Sequence, residues 1–189
     1  MQDTTNKQYD DAVTDCCEIF LNKSRDYGTS WRVYRMISIA DQIFIKANRI
    51  RTIQQKGQQR ISDDILSEFK GILNYGIIGL IQLDHAELNE TPDFNYDTLK
   101  LLYNEKIRLA KKLMQDKNHD YGEAWRSMSQ ESFADLILAK VLRIKQIINN
   151  KGITIISEGI DANLFDIMNY SVFALILAKY PQPNNLMES

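Results

Sequence analysis

The chain has 189 residues, enough for one compact domain or two small ones of roughly 90 residues each. Hydrophobic residues make up 44% and charged residues 25%, an ordinary globular composition, and eight Gly and three Pro are too few for a turn-rich sandwich. A net charge of −2 exerts no global pull on nucleic acid or anionic membrane, so any phosphate recognition has to be local.

The opening segment, 1–11, is polar and acidic and lacks the character of a signal or transit peptide. A first helix is predicted over about 9–21. It carries the adjacent Cys16 and Cys17, which cannot pair with each other without strain and read as free thiols of a reducing compartment. A loop follows, Lys-Ser-Arg-Asp-Tyr-Gly-Thr-Ser-Trp-Arg over 23–32. A second helix is predicted over about 37–56, stopped by Gly57 as a carboxyl-cap glycine. A third runs over about 62–88, with Ser62 as its amino cap and Asp63 and Asp64 in its first turn. The longest unbroken apolar stretch, around 76–83, is far short of a membrane span, and a cytoplasmic protein is expected. Turn chemistry over 89–95 marks a linker.

After the linker the pattern starts again. Helices are predicted over about 96–115, 131–150 and 157–179, with Gly152 closing the second and Ser157 and Glu158 opening the third. The β-prone stretch 153–156 has no partner strand and reads as a loop or helix lead-in. The loop 23–32 realigns on 117–126, Lys-Asn-His-Asp-Tyr-Gly-Glu-Ala-Trp-Arg. In the same register Tyr9 falls on Tyr103, and Ser38, Ala40, Asp41, Ile43, Lys46, Arg49 and Ile50 fall on Ser132, Ala134, Asp135, Ile137, Lys140, Arg143 and Ile144. After a slip of one residue, Asn74-Tyr75 meets Asn169-Tyr170. The expected architecture is all-α: two tandem three-helix repeats, 1–90 and 96–180, packed as one bundle about a pseudo-twofold axis, with a flexible tail over 181–189.

Three constellations could carry chemistry. In the signature loops, Gly28 and Gly122 permit a positive φ, Tyr27, Trp31, Tyr121 and Trp125 could stack on a base, and Arg32 and Arg126 could fork onto phosphate. The structural alternative is a helix corner, with the tryptophans plugging the core and Asp26 and Asp120 capping backbone amides. On the second helices, Lys46, Arg49, Lys56 and Arg60 share a basic stripe that Lys140, Arg143 and Lys151 repeat. Phosphate binding is its natural use, and a solvated basic face the alternative.

The third helices are the most informative. The stretch 160–178 is apolar on nearly every face and should be central, yet Glu158, Asp161, Asp166 and Asn169 share one side of it. Buried carboxylates need partners: Lys140 or Arg143 would serve, or with Asp135 they could hold a hard ion such as Mg²⁺. Asn74 and Asn169, embedded in apolar runs, are expected to be buried, equivalent and hydrogen-bonded. Gly71 stands opposite Asp166, which directs any site to the second unit, between its second and third helices, and leaves the first as a scaffold. No pattern supports nucleophilic catalysis, because His85 and His119 are isolated and no phosphate-binding glycine loop is present.

Lys-x-x-Asp-Tyr-Gly-x-x-Trp-Arg, then Ser-x-Ala-Asp-x-Ile-x-x-Lys-x-x-Arg-Ile, then Asp-x-x-Asn-Tyr resembles the nucleotide modification associated domain 1 family, in two copies over about 9–180. The pattern is also distantly similar to the all-α nucleoside triphosphate pyrophosphohydrolases of the MazG type, in which paired acidic helices hold Mg²⁺ against a triphosphate. Glu158-x-x-Asp161 matches the later of those acidic motifs, and no Glu-x-x-Glu stands on the earlier helices. The resemblance implies a nucleotide or another phosphate-bearing small molecule as partner. One reading is Mg²⁺-dependent hydrolysis, with Asp135 and Asp166 as catalytic acids, Asp135, Glu158, Asp161 and Asp166 on the metal, and Lys46, Arg49, Lys140, Arg143, Arg32 and Arg126 on phosphates. The alternatives are a non-catalytic nucleotide or nucleic-acid binding module, and a structural bundle that forms a homodimer.

Overall fold

The computed structural model describes residues 2–57, 64–85, 93–154 and 158–181. The described residues form six helices and no strand: α1 (Gln2–Tyr27), α2 (Met36–Lys56), α3 (Ile65–Asp84), α4 (Tyr96–Tyr121), α5 (Gln130–Asn149) and α6 (Ile160–Lys179). Short 3-10 turns, Ser30–Val33 and Ala124–Ser127, join α1 to α2 and α4 to α5. Each repeat therefore has the three predicted helices. Of the expected caps, Ser62, Asp63 and Ser157 lie outside the described residues, as do Arg60 and the tail 182–189. Asp64 caps α3 by accepting from the Ser67 amide at 2.7 Å, and Asn95 caps α4 in the same way through Thr98 at 2.9 Å.

The helix ends show where local signals sufficed. Gly57 closes α2 at φ 61°, as expected of a carboxyl-cap glycine. In α5 the cap is Asn150, and the left-handed turn is shared between Lys151 (φ 55°) and Gly152 (φ 80°), whose amide donates to Ile147 O at 2.8 Å. The first helices are longer than predicted. α1 begins several residues before Tyr9 because its polar opening turns pack on the other repeat, where Thr5 is fully buried, and no breaker stands before Gly28 at its far end.

α3 and α6 lie side by side at the centre, α2 flanks α3, α5 flanks α6, and α2 and α5 also touch, which closes a four-helix core. α1 and α4 pack on each other and across the α3–α6 pair. Close approach at the centre needs small residues. A Cβ on Gly76 would stand 2.7 Å from Met168 Cγ, and one on Gly79 2.8 Å from Leu164 Cδ1. α6 is long and apolar enough to cross a membrane, but 72% of that window is buried inside the protein, and its apolar faces are those of a core helix.

Contacts between the repeats come in matched pairs, as a pseudo-twofold requires. Asn169 accepts from the Tyr9 hydroxyl at 2.9 Å and donates to Ala110 O at 3.1 Å. Asn74 accepts from the Tyr103 hydroxyl at 3.0 Å and donates to Cys16 O at 3.1 Å. Each asparagine thus ties its own first helix to the tyrosine of the other repeat, and both are buried, at 8% and 5% exposed for Asn74 and Asn169. Asp41 pairs with Lys145 at 2.6 Å and Asp135 with Arg51 at 3.6 Å, joining α2 and α5 crosswise in antiparallel fashion.

Candidate functional site

The signature segments form helix corners. α1 and α4 run through the Asp-Tyr dipeptides, Gly28 (φ 66°) and Gly122 (φ 62°) turn the chain, and the 3-10 turns drive Trp31 and Trp125 into the core. Trp31 packs against Phe20 and Phe94, and Trp125 stacks on Phe173 at 4.3 Å. Asp26 and Asp120 stay exposed and cap nothing. The capping of the first corner falls instead to Asp93 of the linker, which accepts from Thr29 N at 3.0 Å and Thr29 Oγ1 at 2.7 Å. The second corner is held by the opening turns of α1.

Both signature arginines are consumed by this framework. Arg32, 6% exposed, donates to Gln82 and lies over the Phe94 ring at 5.1 Å. Arg126 donates to Glu123, to Thr5 at 2.6 Å and to Gln8 at 2.8 Å. Arg126 is thus taken up by three partners, whereas Arg32 keeps a buried Nε without a partner and is withheld from phosphate by its burial. Tyr27 and Tyr121, by contrast, are exposed at the rim of two cavities.

The cavities are the same place in the two repeats. The first, about 480 Å³, lies between α1, the first 3-10 turn and α3, and is lined by Lys23, Ser24, Tyr27, Ser30, Trp31, Tyr34, Lys46, Ser67, Glu68, Lys70, Gly71, Asn74, Tyr75 and Ile78. The second, about 130 Å³, is lined by their counterparts Lys117, Asn118, Tyr121, Trp125, Asp166, Asn169, Tyr170 and Phe173. Among the replacements between the two linings, Asp166 stands for Gly71 and Phe173 for Ile78, each adding bulk on the wall of the smaller cavity. The larger space therefore lies in the first unit, whereas the expectation directed any site to the second, where the acid that singled it out lines the smaller cavity between two lysines.

Asp166 is clamped by Lys117 at 2.6 Å and Lys140 at 2.5 Å. Burial alone would raise its pKa, but the hydrogen bonds and charges of the two lysines outweigh it and hold the carboxyl below its ordinary value. Lys117 is raised in turn: desolvation alone would lower it, but the hydrogen bond to Asp166 together with the charges of Asp166, Tyr170 and Glu158 outweighs that. Arg143, an expected partner, is exposed and makes no ion pair among the described residues, whereas Lys117 was not expected. Its signal was present, since Lys23 and Lys117 open the repeated signature. In the first repeat the acid sits one helical turn earlier, at Glu68, which receives Lys46 at 3.0 Å and Arg49. Lys46 reaches it across Gly71, its Cε 2.9 Å from where a Cβ would stand. The basic stripe thus turns inward at Lys46, Arg49 and Lys140.

The four acids expected to hold Mg²⁺ are not brought together. Asp135 is exposed and engages Arg51 on α2, Asp161 and Glu158 are exposed near the start of α6, and Asp166 is taken by two lysines. Among the described residues no three acids, histidines or cysteines converge, so these side chains do not fit a metal cage. In the first cavity the cations outnumber the acids. Lys46 and Arg49 share Glu68, Lys70 reaches Asp15 at 3.5 Å, and Lys23 has no ion pair with a described residue. Cys16 is buried, its thiol pushed up to about 12 chiefly by desolvation, and is inert.

The model of the family described as nucleotide modification associated domain 1 matches residues 23–83 and again 117–177, more than half of the chain. Each match opens on the cavity lysine, Lys23 or Lys117, and spans the corner, the second helix and the third. No curated protein and no solved structure matches the chain.

Proposed function

Since the chain belongs to the nucleotide modification associated domain 1 family, in two tandem copies, we propose that its first repeat binds a nucleotide in the open cavity. The observation that carries this reading is the convergence of Lys23, Lys46 and Lys70 with Tyr27, Tyr34 and Tyr75 around a space of about 480 Å³. Cavities of roughly 300–1,000 Å³ enclose small-molecule ligands, and the lysines supply point charges for phosphate oxygens. The tyrosine faces are suited to a base, where stacking contributes about 1–3 kcal/mol, and Ser24, Ser30 and Ser67 offer hydroxyls for sugar or phosphate.

Binding, rather than metal-assisted hydrolysis, is the reading this geometry favours, because the acids that would cage an ion are dispersed. Mg²⁺ enters it with the ligand's phosphates. The test is a thermal-shift and calorimetric panel of nucleoside mono-, di- and triphosphates, with and without Mg²⁺, on the wild type, Lys23→Ala and Lys70→Ala. Saturable binding of one equivalent, weakened about tenfold or more in either variant, is expected. A panel without any shift refutes the reading, and release of pyrophosphate in the Mg²⁺ samples would move it to hydrolysis.

A further inference from the structure

The two cavities differ at the point where an anion would sit, and the second shows which atoms an anion meets there. Lys117 and Lys140, the counterparts of Lys23 and Lys46, close on the Asp166 carboxylate at 2.6 and 2.5 Å. In the first repeat the same position is Gly71, with no side chain, and the movable end of Lys46 lies across it at the wall of the open cavity. Resting on the nucleotide-binding reading above, we propose that Asp166 occupies in the second repeat the place that a ligand's phosphate takes in the first: over Gly71, between Lys23 and Lys46. The second repeat is then a binding site closed by its own carboxylate, and the chain takes one phosphate ligand, not two.

Three observations converge on this. Both lysines of the closed site have equivalents lining the open one, and in the open one Lys23 has no ion pair with a described residue. Lys46 lies across Gly71 with its flexible end, Nζ 3.2 Å from the ideal Cβ position and 3.0 Å from Glu68, so meeting an anion there takes a swing of that end away from Glu68, which keeps Arg49. Phe173, where the first repeat has Ile78, is stacked on Trp125 and narrows the second cavity further. Phosphate alone, without a base, is what the second cavity could admit once Asp166 is removed.

The experiment measures stoichiometry by calorimetry, with inorganic pyrophosphate and ATP as probes, on the wild type, Gly71→Asp, Asp166→Ala and the double variant. Gly71→Asp rebuilds the closing carboxylate in the first cavity and is expected to weaken its binding about tenfold or more. Asp166→Ala keeps a Cβ on α6 and is expected to gain a second equivalent of pyrophosphate but not of ATP. The double variant should bind pyrophosphate once, in the second repeat. Should Asp166→Ala lose its cooperative unfolding, Asp166→Ser is measured in its place. Wild-type binding unaffected by Gly71→Asp, or no added pyrophosphate equivalent on removing Asp166, overturns the proposal. If the wild type binds neither probe, the nucleotide reading fails for them and the placing of phosphate over Gly71 is overturned with it, while a pyrophosphate site created by removing Asp166 would still support the second repeat as a site closed by its own carboxylate.

Discussion

Asp166 is the one charged residue among the buried residues of its helix, which are mostly apolar, and two lysines from different elements keep it ionised. Its folded pKa is held below the ordinary aspartate value near 3.9, so its contribution is present above that value and is lost as pH falls through the folded one. Lys117, raised above the ordinary lysine value, loses its share only as pH climbs through its own folded pKa, in the far alkaline range. Asp166→Asn is expected to cost about 1–3 kcal/mol at neutral pH, less than a fully buried pair because Lys117 is half exposed. That difference from wild type should shrink as pH falls below about 4. Urea unfolding at intervals from about pH 3 to pH 7 reads it, and a difference independent of pH would contradict the pairing. Much at this scale was legible in the chain. Asn74 and Asn169 announced themselves as lone amides in apolar runs, and both are buried and bonded. The destinations of Arg32 and Arg126 were not legible, since Gln82, Thr5 and Gln8 reach them only through packing between elements far apart in sequence.

The glycines of α3 separate two kinds of space. At Gly76 an added methyl meets Met168 Cγ at 2.7 Å inside a core with no exposed exit, while at Gly71 it meets only the movable end of Lys46. Replacing helical Gly by Ala gains about 1 kcal/mol of propensity. Gly71→Ala should therefore be neutral or slightly stabilising. Gly76→Ala should lose about 1–3 kcal/mol through overpacking despite that gain. Denaturant midpoints for the two variants decide this, and equal stabilities would mean that α3 and α6 are not locked at this contact. The apolar run that contains these glycines marked α3 as a core helix, but periodicity carries no information on which face a neighbouring backbone approaches. The same limit hid the closing of the second cavity. Reading Asp166 against Gly71 identified the position that differs, and only the reach of Lys117 and Lys140 showed that the difference fills the space.

Neither repeat completes its own polar core. The Tyr9 hydroxyl, fully buried, is bonded by Asn169 of the other repeat, and Tyr103 by Asn74. A half separated from its partner leaves a buried phenol and an amide unsatisfied, at about 1–3 kcal/mol each, and exposes the apolar flank of α3 or α6. Residues 1–92 or 93–189 alone should consequently unfold without a cooperative transition, or fold only by pairing with a second copy of themselves, Tyr9 then meeting Asn74. Sedimentation and circular dichroism on each half test this, and a folded monomer of either would contradict it. In the intact chain Tyr9→Phe and Asn169→Leu should be strongly non-additive, because the double variant leaves no orphaned group on that side of the contact. The pseudo-twofold was readable from the register of the repeat alone, while the exchange of tyrosines across it was not, because Tyr9 and Tyr103 aligned without any sign of which asparagine they face.

That exchange bears on how the two cavities came to be free to differ. Two identical subunits meeting about a true twofold share every substitution, so a carboxylate that closes one cavity closes both. With the two units on one chain, tied by Tyr9–Asn169 and Tyr103–Asn74, each cavity answers to its own residue while the contact between units keeps its symmetry. Glycine can persist at 71 while aspartate stands at 166, and one half can specialise in holding the other in shape.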